Sequence, residues 1–127
     1  QQLTRFSWLS DEQRFSQDIL ALYPNTLIEL QPRHMMIVAI DPEGPTRCTE
    51  YLNFYFIDED ATDPNLCDER QRTAEAWCEI MNQDIEVLAD LQAAAHSPTA
   101  SRAADMSPVW EQGTAAFRSR VARALII

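Results

Sequence analysis

Between about Asp68 and Ala95, apolar residues recur at Ala74, Trp77, Cys78, Met81, Ile85 and Leu88, the three-and-four spacing of one face of a single long helix. Taking about 100° per residue from Trp77, Met81 and Leu88 lie near 40° and 20°, and Asp84 lies near 340°. A carboxylate therefore falls in the middle of the apolar stripe. Glu75, Glu79, Glu86 and Asp90 lie at roughly 160° to 220°, where a solvated face belongs. An ionised carboxylate taken into an apolar interior has to be paired, protonated or bound to a metal. Asp84 is read either as a cap or salt-bridge partner of an Arg, or as a metal-binding or catalytic group. The wheel alone leaves both open.

The segments before the helix supply its partner layer. "TLIELQP", "HMMIVAID" and "TRCTEYLNFYFI" are rich in β-branched and aromatic residues, and the turn signals "QPRH" and "DPEGP" separate them. They predict three strands of an antiparallel meander. In the third, Cys48, Glu50, Leu52, Phe54 and Phe56 alternate with Thr49, Tyr51, Asn53 and Tyr55, which suits a sheet covered by a helix on one side. Ser10 and Gln13 form a capping-box pattern ahead of Pro24, predicting a short helix from about Asp11 to Leu22. "DEDATDPNLCDE" lacks the glycine and closing Glu of a calcium loop and is read as a solvated connector. The stretch from Ala93 to Pro108 reads as a loop, with Ser107 and Pro108 opening a terminal helix whose face is Val109, Trp110, Phe117, Val121 and Leu125. The expected class is α+β, an antiparallel sheet with a long helix.

Twenty Asp and Glu against 10 Arg give the 127-residue chain a net charge of −10. Such a charge repels phosphate backbones and anionic lipid, so neither nucleic acid nor a membrane is an expected partner. No apolar run approaches a bilayer span, and the first residues lack the regions of a signal peptide, so a cytoplasmic setting is expected. Cys48, Cys67 and Cys78 have no disulfide or C-x-x-C spacing and are read as reduced. His96 lies 12 residues beyond Asp84, about 18 Å along a continuous helix, so the two do not share an ion. His34 is read as exposed or hydrogen-bonded. Two glycines, Gly44 and Gly113, exclude a glycine-rich phosphate cradle.

"YPNTLIELQPRHMMIVAIDPEGPTRCTEYLNFYF", then "AWCEIMNQDIEVLADLQ" and "MSPVWEQGTAAF", resemble the C-terminal part of the catalytic domain of Rieske non-haem iron ring-hydroxylating oxygenase α subunits. The shared features are a Pro-Asn strand start, a strand pair around a Pro-rich turn, and a helix bearing an Asp with a Gln eight residues later. The resemblance implies that Asp84 is the carboxylate of a two-histidine, one-carboxylate iron site and that Gln92 is the glutamine which follows it. Trp77, Ile80 and Met81 are then pocket walls, or equally core. It further implies a helix-grip, START-like fold. The complete enzyme would use mononuclear Fe(II), a [2Fe-2S] cluster, O2, a small organic substrate, a reductase or ferredoxin as electron donor, and a trimeric assembly.

The sequence departs from the family pattern in four ways. The iron-binding histidine pair and the Rieske Cys and His pairs have no counterpart here. Gln83 stands where Glu is usual, and Ala93 and Ala94 where a Gly is common. The chain, which opens on Gln1, is accordingly expected to be a single-domain portion of such an oxygenase, residues 1–127, inactive by itself. The rivals are a non-enzymatic helix-grip module for an apolar ligand, with Asp84 neutral or paired to an Arg, and a structural interaction domain.

Overall fold

Strand-forming residues occur in four runs, and the chain folds all four into one antiparallel meander. The computed structural model describes residues 2–98 and 106–126. Its strands are β1 (Asp18–Leu22), β2 (Thr26–Leu30), β3 (Met35–Gly44) and β4 (Arg47–Tyr55), in the order β1-β2-β3-β4. Two short 3-10 turns, Asp58–Ala61 and Pro64–Leu66, lead into α1 (Cys67–Ala95), and α2 spans Gln112–Leu125. The result is the expected α+β class. The chain divides into two compact units, Gln1–Asp90 and Leu91–Ile127.

Register assigns the faces of the sheet. Ile19 pairs with Glu29, Glu29 with Met36 and Met36 with Phe54, so these four side chains share one face in a single row. The next row is Ala21, Leu27, Val38 and Leu52. Met36 and Val38 at the centre of these rows are fully buried. On β4, Leu52 and Phe54 are half-buried while Tyr51, Asn53 and Tyr55 are exposed, as the alternation predicts, and Phe56 just beyond the strand is half-buried. Towards the start of β4 the pattern is reversed, with Thr49 half-buried and Cys48 and Glu50 exposed. β3 runs through the expected turn as far as Gly44, with an irregular register between Pro42 and Gly44. Gly44 has φ 150°, a conformation L side chains rarely adopt, and so a glycine is required there.

The first predicted helix is absent. The capping box does form, Gln13 N–H donating to Ser10 Oγ at 3.3 Å and Ser10 N–H to Gln13 Oε1 at 3.1 Å. It closes only one turn. Residues 18–22 pair along their whole length with β2, and those ladder bonds outweigh a helix too short to hold itself. The terminal helix also starts later than predicted. Ser107 Oγ accepts from the N–H groups of Val109 and Trp110 and caps a separate turn, and α2 begins at Gln112. Of the connecting stretch, residues 99–105 lie outside the described residues.

The acidic connector is built rather than merely solvated. Asp63 caps the second 3-10 turn by accepting from Asn65 N–H at 2.8 Å, with Pro64 behind it. Arg70 of α1 donates to the carbonyls of Asp60 and Asp63 at 2.7 and 2.9 Å. Asp60 also holds the N-terminal segment, accepting from Thr4 N–H and, at 3.2 Å, from Thr4 Oγ1.

One hydrogen bond joins the start of β3 to the helix: Trp77 Nε1–H donates to His34 Nε2 at 3.0 Å. His34 is buried and its ring lies 6.1 Å from those of Phe54 and Phe56. Trp77→Phe keeps an aromatic ring and removes the donor, leaving a buried acceptor without a partner. It is expected to cost about 1–3 kcal/mol, read as a lower denaturant midpoint, whereas Tyr55→Phe on the exposed side of β4 should leave that midpoint unchanged.

Candidate functional site

Helix α1 carries Asp84 within its apolar stripe, but the stripe is covered only over its earlier turns. Trp77 and Met81 are half-buried, whereas Ile80, Ile85 and Leu88 around Asp84 are each about half exposed. Asp84 is exposed too. The burial that the helical wheel implies for this carboxylate is therefore not found. Its apolar neighbours are themselves in water, so no desolvation cost falls on it. Among the described residues it forms no ion pair with an Arg. Gln92, in the second unit, places its side-chain amide 3.4 Å from His96 Nε2, and both are exposed.

A resident metal needs several converging ligands. Among the described residues no three His, Cys, Asp or Glu side chains form such a group. The side chains present here thus do not fit a complete iron site, and Asp84 is a single available ligand. The acidic residues 58–63 form no metal-holding group either. Cys48, Cys67 and Cys78 are free thiols.

Among the described residues, the two buried polar side chains, His34 and Glu29, belong instead to the sheet and the turn that leads into β3. Because His34 Nε2 accepts from Trp77, the neutral imidazole carries its proton on Nδ1. Burial among apolar rings pushes its pKa below the ordinary 6.5. On β2, Glu29 is buried between Ile19 and Met36, and among the described residues its Oε2 has no hydrogen-bond partner. Burial pushes this carboxyl above its ordinary 4.5. Glu29 escaped the sequence reading, although the alternation in "TLIEL" puts it with Leu27 on the face opposite Thr26, Ile28 and Leu30. His34 is hydrogen-bonded, one of the two states expected for it, but its burial has no signature in "QPRH".

With this geometry in view, the comparisons place the chain. Residues 1–126 match the family model for the ring hydroxylating alpha subunit (catalytic domain), and the chain belongs to that family. No curated protein and no solved structure matches it. Membership indicates an oxygenase lineage and a hydroxylation chemistry. Among the described residues no helix is long and apolar enough to cross a membrane.

The two buried groups give pH dependences of opposite sign. His34 titrates lower in the folded chain, so between that value and 6.5 the unfolded state binds more protons and stability rises with pH. Glu29 titrates higher in the folded chain, so stability falls as pH rises from 4.5 through its shifted value. Urea midpoints measured at about pH 5 and about pH 7 should show Glu29→Gln gaining stability relative to wild type at the higher pH. His34→Gln, which keeps an acceptor for Trp77, should lose the rise that wild type shows as pH climbs toward 6.5.

Proposed function

We propose that this chain is part of the catalytic domain of a Rieske-type ring-hydroxylating oxygenase and supplies its carboxylate ligand, Asp84. The observation that carries the reading is the family match over residues 1–126, and the exposed carboxylate in the middle of α1, which among the described residues forms no ion pair, supports it. In the complete enzyme two histidines from outside the described residues would join Asp84 around mononuclear Fe(II), the ligand set of oxygenases that leave positions open for O2 and substrate. Gln92 would follow as the conserved-pattern glutamine, and Trp77, Ile80 and Met81 would stand on the turns leading to the ligand. The reaction is O2-dependent hydroxylation of a small organic substrate.

On this reading the whole chain belongs to one helix-grip, START-like catalytic domain. Electrons come from NAD(P)H through a reductase or ferredoxin and a [2Fe-2S] cluster elsewhere in the polypeptide. The assembly is a cytoplasmic homo-oligomer, a trimer by family habit. The residues described here, having one candidate ligand, neither hold iron tightly nor turn over substrate by themselves.

The test uses the complete polypeptide that contains this chain, expressed anaerobically as wild type and Asp84→Ala. Mononuclear iron per chain should fall by about tenfold or more in the variant, with the [2Fe-2S] absorbance retained and O2 uptake lost. Iron unchanged by the substitution would make Asp84 structural and leave the helix-grip binding module as the better reading.

A further inference from the structure

Among the described residues, two side chains tie helix α1 to the rest of its unit by hydrogen bonds. Near the start of the helix, Arg70 donates to the carbonyls of Asp60 and Asp63. Two turns later Trp77 Nε1–H donates to His34 Nε2, at the entry to β3. No α1 residue is fully buried. Its half-buried residues lie between Glu69 and Met81, and residues 82–95 are all exposed. Trp77 is therefore the last directional hold on a thinly packed helix.

The two holds differ in chemistry. A guanidinium resting on backbone carbonyls does not titrate, whereas the Trp77 bond needs the lone pair that imidazole loses when it takes up a proton. The His34 ring faces Phe54, Phe56 and Trp77, none of them ionisable. Of the ionisable residues on the elements around it, Arg33 donates to the Leu3 carbonyl and Gln2 Oε1, and Glu29 of β2 pairs with Met36. Tyr55 of β4 and Cys78 of α1 are exposed. Burial, with no charged partner, holds the imidazole below its ordinary 6.5.

We propose that the bond between Trp77 and His34 is a pH-operated latch. A proton taken from water onto Nε2 sets two N–H groups against each other, and α1 leaves the sheet while Arg70 holds its first turns on the connector as a hinge. Asp84, two turns beyond Trp77 on the same face, moves with the helix. The latch rests on this bond and not on iron binding. Its direction follows from burial: once the helix opens, the imidazole is in water and titrates near its ordinary value, so opening takes up a proton and becomes more favourable as pH falls below about 6.5. Glu29 acts with the opposite sign, because the packed sheet favours its protonated form.

Amide hydrogen exchange of the complete polypeptide, followed on peptides from α1 and from β2 to β4 and corrected for intrinsic rates, reads the latch directly. Between about pH 7.5 and about pH 5.5 the protection of the wild-type α1 peptides should fall roughly tenfold while the strands keep theirs. His34→Gln keeps an acceptor for Trp77 and does not titrate, so its α1 protection should stay constant. Trp77→Phe should show the lower protection already at the higher pH, and it carries the test if His34→Gln does not fold. Wild-type α1 protection that ignores pH, an equal fall in His34→Gln, or helix and strands losing protection together would overturn the proposal.

Discussion

The inner face of β3 is the constraint on which the first unit depends. Met36 and Val38 are its fully buried side chains, and each is clamped in register between a residue of β2 and one of β4. Once that register is set, every other placement follows from the two-residue period of the strands. Phe54 and Phe56 come under His34, His34 meets Trp77, and Glu29 turns inward beside Met36. A slip of one residue would reverse all of these at once. The Trp77 to His34 hydrogen bond matters because it is a directional contact in an apolar layer, where an unmet acceptor is costly.

Burial on the sheet gives two titratable groups, His34 and Glu29, opposite pH responses. Burial disfavours whichever form is charged, so it lowers the imidazole and raises the carboxyl. His34 answers its burial with a neutral tautomer and a donor from the helix. Glu29 has no such answer within the described residues. That asymmetry separates a satisfied buried group from one that is unsatisfied among the described residues.

Asp84 presents the reverse situation. It lies in a stripe whose composition promises burial, yet it is exposed, as are Ile80, Ile85 and Leu88 beside it. A run of half-exposed large apolar side chains on one helix face is surface that a further layer would cover. Among the described residues Asp84 pairs with no Arg, so a buried ion pair is not what places it in that run.

Much of the fold was legible in the sequence because it rests on local pattern. Two-residue alternation marked β2, β3 and β4, three-and-four spacing marked α1 almost to its ends, and "QPRH" marked a turn. The stretch 11–22 misled, since a genuine capping box there spans one turn while the strand that follows is held by pairing with β2, a contact no local signal carries. Family membership was likewise readable, through the order and spacing of motifs. Burial was not. The sequence by itself determined which residues share a face and where the Asp lies on its helix, because periodicity is a property of the backbone. Only the tertiary structure decided that His34 and Glu29 are enclosed while Asp84 is not, because desolvation depends on what packs against a face.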